Sequence, residues 1–116
     1  MNYAAMMSIK YSSDWLAMPR KDRNRFNEEI LAPILARFAG KVSVRFFDAE
    51  AFSADVSDFA LFEFGDPKDY YFLIEELRDT ELYTKEWLSV KGILLGIEDG
   101  YQAFETTAAA HSGQGA

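Results

Sequence analysis

A chain of 116 residues, 49% hydrophobic and 16% aromatic, is sized and composed for one globular domain with a real core. Its formal net charge of −7 argues against a nucleic-acid partner, because phosphate contacts need clustered Lys and Arg. The absence of cysteine excludes disulfides, thiolate metal sites and Cys nucleophiles. No run of apolar residues is long enough to span a membrane, and the N-terminus lacks a basic region followed by an apolar stretch, so a cytoplasmic protein without a signal peptide is expected.

Residues 3–11, YAAMMSIKY, alternate as a strand with Tyr3, Ala5, Met7, Ile9 and Tyr11 on one face. Ser12, Ser13 and Asp14 supply turn and capping chemistry, and Trp15 and Leu16 read as a short apolar flap. Pro19 suits the first turn of a helix, whose apolar stripe is Phe26, Ile30, Leu31, Ile34, Leu35 and Phe38. Pro33 interrupts that stripe and predicts a kink near Glu29–Ala32, or two helical pieces. Gly40 ends the helix.

The stretch from Lys41 to Gly65 reads as two strands joined by an acidic turn. Val42, Val44 and Phe46 share one face with Ala60, Phe62 and Phe64; Ser43, Arg45 and Phe47 share the other with Phe59, Leu61 and Glu63. The register this suggests pairs Val44 with Phe64 and Phe46 with Phe62, which sets Arg45 opposite Glu63. Asp66-Pro67 then starts a second helix with Tyr70, Leu73, Ile74 and Leu77 on its core face. Residues 86–97 read as a last strand, with Trp87, Ser89, Lys91, Ile93 and Leu95 on one face. Asp99-Gly100 is a turn signal, Tyr101 and Phe104 are expected to pack back on the body, and residues 106–116 read as a mobile low-complexity tail beyond a domain spanning 1–105. The expected core is Ile30, Ile34, Val44, Phe46, Phe62, Phe64, Leu73 and Leu77.

The order strand, helix, strand, strand, helix, strand is the ferredoxin-like βαββαβ pattern, an α+β fold. Right-handed crossovers give a four-stranded antiparallel sheet of order 4-1-3-2 with both helices on one face. The other face then carries Met6, Phe47, Phe59, Leu61, Trp87 and Ile93 beside Lys10, Arg45, Glu63 and Lys91. It is too apolar to be left wet, so a homodimer packed sheet against sheet, a dimeric α/β barrel, is expected.

Two clusters are chemically suggestive. Lys10, Arg45, Glu63 and Lys91 can converge on the sheet face and orient a polar ligand, or form an ion-pair network at a dimer interface. Phe47, Tyr71 and Trp87 add aromatic walls to a pocket there. Asp48, Glu50, Asp55 and Asp58 offer hard oxygen ligands, but their spacing lacks the EF-hand glycine and closing glutamate, so a solvated hairpin end and no metal is the expectation. His111 is the only histidine and lies in the tail, which makes a His-ligated haem, a Ser–His pair or a His metal site unexpected; no cofactor is expected.

The runs VSVRFFDAEAFSA, YYFLIEELRDT and IEDGY, together with WLAMPRKDRNRF and ILAPILARF, resemble the darcynin family over roughly residues 3–104. The resemblance implies a ferredoxin-like, dimeric α/β-barrel fold and carries over no catalytic residues, since the family's biochemical role is undefined. Two functions remain open at this point. One is binding, with or without cofactor-free transformation, of a small partly aromatic molecule at the sheet face. The other is a non-catalytic dimeric interaction protein whose interface is packed shut.

Overall fold

The computed structural model describes residues 2–115, with side chains described through residue 110. Four antiparallel strands, β1 (Tyr3–Tyr11), β2 (Val42–Asp48), β3 (Asp58–Phe64) and β4 (Leu88–Ile97), form one sheet in the order β2-β3-β1-β4. This is the 4-1-3-2 order expected from the sequence, read from the other edge. Helices α1 (Ser13–Ala17), α2 (Arg20–Phe26) and α3 (Ala32–Arg37) lie between β1 and β2; α4 (Pro67–Arg78) and α5 (Glu81–Thr84) lie between β3 and β4. A final helix, α6 (Gly100–Gly115), takes in most of the segment whose composition suggests a tail. Tyr101 and Phe104 on α6 are exposed and do not pack back on the body.

The core lies between the helices and one sheet face. Ala5, Met7 and Ile9 of β1, Ala60, Phe62 and Phe64 of β3, and Val42 of β2 are buried against Ile34, Leu73, Leu77 and Leu82. The face assignment therefore holds, but the β2–β3 register does not. Val44 pairs with Phe62 and Phe46 with Ala60, a slip of two residues from the expected pairing. A slip by two keeps every side chain on its own face, so strand alternation cannot detect it. Arg45 sits opposite Leu61 and reaches Glu63 diagonally, Nη2 to Oε1 2.9 Å. Phe46, an expected core residue, lies opposite small Ala60 on an edge strand and stays 59% exposed; Val44 is half-buried.

The helix before β2 departs from α-geometry over Asn27–Leu31, a π-turn ending two residues before Pro33. Proline has no N–H for the carbonyl four residues back, and its ring crowds that carbonyl, here Glu29; the wider turn relieves both. The kink is where the proline places it. The extra residue also moves the apolar stripe. Leu31 now follows Phe26 on the core side, and Ile30, expected in the core, is exposed at 38%.

β4 carries a second irregularity. Ser8 pairs with Gly92 but Ile9 pairs with Val90, so Lys91 is the extra residue of a bulge. Beyond it the alternation is reversed from the one expected. Ile93 pairs with Met7 and Leu95 with Ala5, which puts them on the helix side, while Leu94 joins Met6 on the open face. Trp87 precedes the strand and packs edge-on to Phe26, centroids 5.0 Å apart, away from the open face.

Local caps agree with the sequence. Ser12 Oγ accepts the Trp15 N–H at 3.2 Å to start α1, and Asp66 accepts the Lys68 N–H at 2.9 Å with Pro67 in the first turn of α4. Asp99 takes a left-handed conformation (φ 48°) to turn the chain into α6.

Candidate functional site

The residues expected to form one site on the sheet face are dispersed. On the open face, Arg45 and Glu63 form an exposed ion pair, and Phe47 stacks on its cross-strand partner Phe59 with centroids 4.7 Å apart. Arg45 Cζ also lies 5.9 Å from the centre of the Phe47 ring. Lys10 does not join them. Glu63 pairs with Ala4, and Lys10 is six residues further along β1, about 20 Å at the rise of an extended strand. Lys91 sits in the β4 bulge, across β1 from that pair.

Tyr71 lies on the opposite side of the sheet. It lines an open groove of about 500 Å³ between α4 and β4, together with Tyr70, Ile74, Tyr83, Val90 and Ile93, and with Arg78 as the one charged residue of its walls. The helix periodicity of α4 brings Tyr70, Ile74 and Arg78 to this wall. The bulge at Lys91 brings Ile93 to the other. Burial pushes the Tyr70 and Tyr83 phenols up, with Tyr70 adding to the rise at Tyr83 and Arg78 opposing it, and both remain neutral hydrogen-bond donors.

A separate polar cleft, also about 500 Å³, lies at the end of the sheet where β2 leaves and β3 begins, and none of the residues expected at the sheet-face site lines it. Three of the four carboxylates singled out in the sequence meet there: one oxygen each of Asp48, Glu50 and Asp58 lies within 4.8 Å of the others. Asp55 is not among them. The backbone builds this corner. Asp48 and Asp58 are the last paired residues of β2 and β3; Ser57 N–H and Oγ both donate to the Ile9 carbonyl, at 2.9 and 3.3 Å, and the Tyr11 N–H donates to Ser57 Oγ at 3.0 Å. Burial, with Asp58 and Asp48 nearby, pushes the Tyr11 phenol up to about 12.

The facing wall is α2 and the start of the π-turn, with Arg20, Arg23, Asn24 and Asn27. Sequence reasoning missed these four, yet their spacing of i, i+3, i+4 and i+7 is a polar stripe at helical period, a signal as legible as the apolar one beside it.

Burial raises the Asp58 carboxyl above the usual carboxylate range, and hydrogen bonding to Asp48 with the charges of Glu50 and Asp48 adds to this, partly offset by a Ser57 hydrogen bond. A carboxyl raised on folding binds its proton more tightly in the native state, so stability falls as pH rises through the raised value. Asp58→Asn is therefore expected to stabilise the protein at pH 7, by about 0.5 kcal/mol once solvent screening is allowed for. The gain should vanish below about pH 3, where the unfolded carboxyl also holds its proton. Melting curves at the two pH values decide it; a loss at pH 7, or the same gain at both, contradicts the linkage.

The fold and its grooves define an α+β ferredoxin-like domain whose helix layer leaves an open cleft against the sheet. The chain belongs to the darcynin family: the family described as "Darcynin, domain of unknown function" matches residues 2–112. Darcynin 1 of Acinetobacter baumannii is 40% identical over 91 residues, covering 78% of this chain and all of that protein. Among solved structures, chlorite dismutase from Candidatus Nitrospira defluvii in complex with imidazole superposes with a TM-score of 0.74 at 17% identity, over 84% of this chain and 40% of that one. A haem-binding protein from Thermus thermophilus gives 0.74 at 17% identity, over 88% and 43%. The chain thus spans about two fifths of these structural neighbours, and at this identity the likeness establishes the fold. Among the described residues, no helix is long and apolar enough to cross a membrane.

Proposed function

We propose that the chain is a homodimeric, cytoplasmic binding protein that holds a small, partly aromatic molecule in the groove between α4 and β4. The observation that carries this is the composition of the groove: an aromatic and aliphatic lining with one guanidinium, Arg78, suited to a flat apolar body bearing one carboxylate. Tyr71 keeps 59% of its surface free to close over such a body. The structural neighbours include a protein described as haem-binding, but the groove's donors do not suit haem iron. It offers no imidazole or thiolate, and the neutral state favoured for Tyr70 and Tyr83 is the wrong one for a phenolate ligand. We assign the groove binding and no reaction.

The test is calorimetric titration with 2-naphthoate. Saturable binding is expected, weakened about tenfold or more by Tyr71→Ala and by Arg78→Gln. No saturable heat, or unchanged affinity in both variants, overturns the reading.

The dimer contact in this proposal is the open face, where Met6, Phe47, Phe59, Leu61 and Leu94 leave an apolar patch around the Arg45–Glu63 pair. Light scattering at low micromolar concentration should give the mass of two chains for the wild type and one for Phe47→Asp; a single-chain mass for both removes the dimer. The second reading, an interaction protein packed at this face without a ligand, is favoured by one observation: Arg45 and Glu63 already satisfy each other within the chain.

A further inference from the structure

We infer that the polar cleft at the β2–β3 end is a second binding site, for a small dipolar molecule with a cationic group at one end and a carboxylate at the other. Its two walls carry opposite charge on separate elements: Arg20 and Arg23 on α2, and Asp48, Glu50 and Asp58 at the strand ends. Among the described residues these walls do not close on each other. The α2 ion pair is Arg25 with Asp22 on the same helix, and neither Arg20 nor Arg23 lies within ion-pair distance of a carboxylate. Opposite charges that face each other across a space without touching leave both sets of hydrogen-bonding groups open to a guest that spans them.

Three further observations point the same way. Arg23 lines the cleft with its Nε buried and without a hydrogen-bond partner among the protein's atoms, so its guanidinium is not satisfied within the chain. The cleft volume of about 500 Å³ falls within the range of small-molecule sites, and Tyr11 and Trp15 give it an aromatic wall for the body of a guest. The π-turn begins at Asn27, which lines the cleft; such turns recur at functional sites because they widen one face of a helix. A lone cation would suit the three carboxylates but leave the guanidinium wall unused and repelled. A lone anion would do the reverse. Only a molecule carrying both charges meets both walls.

The experiment is calorimetric titration of the full chain, at low salt and neutral pH, with glycine, 4-aminobutanoate and 6-aminohexanoate, which carry the two charges at increasing separation. Hexanoate and hexylamine, with one charge each, are the controls. At least one dipolar compound is expected to bind saturably, about tenfold or more tighter than either control. Arg20→Gln, at an exposed position, and Asp48→Asn should each remove most of that advantage, while Tyr71→Ala in the other groove should leave it unchanged. No saturable binding by any of the three, equal binding by a control, or full affinity in Arg20→Gln overturns the inference. Because the probes and variants differ from those of the α4–β4 groove, either site can fail without the other.

Discussion

Phe62→Ala is expected to cost about 3–5 kcal/mol, the range for removing a buried Phe from a core that cannot collapse onto the gap. Phe62 is 3% exposed and is flanked in the sheet by Ala5 on one side and Val44 on the other. Its two cross-strand neighbours are small, so its ring supplies the bulk of that layer and packs edge-on to Tyr70 of α4 at 5.3 Å. Chemical denaturation should show a lower midpoint with an unchanged slope, and Phe62→Leu should recover much of the loss. A cost below about 1 kcal/mol would mean that the faces of β3 are assigned the wrong way round.

Trp15→Ala should be comparably damaging, again about 3–5 kcal/mol. α1 has five residues, too few to be stable by itself, and it is held by what Trp15 touches. The indole stacks on Tyr11 at 5.4 Å, meets Phe26 edge-on at 5.9 Å and leans on Trp87 at 5.3 Å. These four rings join the end of β1, α1, α2 and the entry to β4. The Ser12 N–H to Trp87 carbonyl bond, 2.8 Å, closes the same joint through the backbone. The two indoles are close enough to couple, so the near-ultraviolet circular dichroism of the pair should collapse in Trp15→Ala, while Trp15→Phe should keep most of the stability. Wild-type melting in Trp15→Ala would show that the cluster is incidental.

The strand order, the faces of β1 to β3 and both proline-marked helix features were legible because each rests on local chemistry: alternation, a cap, a missing N–H. The two-residue slip of the β2–β3 register was not legible because alternation cannot detect it, and the helix over Gly100–Gly115 was hidden by its composition; the other misses came from the two places where one residue is added. Lys91 carries no mark that a strand bulges there, and Ile30 sits at a good α-helical spacing from Phe26 that the π-turn cancels. Trp87 and Ile93, expected on the open face, are displaced for related reasons: one falls before the strand and the other after its bulge. The site was legible only in pieces. The carboxylates near the hairpin and the pair Arg45–Glu63 could be named, but the cleft needs α2, which meets the acidic corner only in three dimensions.

The bulge at Lys91 also constrains how β4 can change length over evolutionary time. Deleting that one residue would bring Val90 next to Gly92, which already sit opposite Ile9 and Ser8, and so would restore simple alternation from Leu88 to Ile97 with every side chain on its present face. Deleting a residue elsewhere in the strand, Leu94 for instance, would instead exchange the faces of the residues between the deletion and one end of the strand, or of those between it and the bulge if the bulge were given up. The bulge is thus the place in β4 where the chain can shorten by one residue at no cost to either face, and a library of single-residue deletions along the strand, scored for soluble expression, would show that position directly.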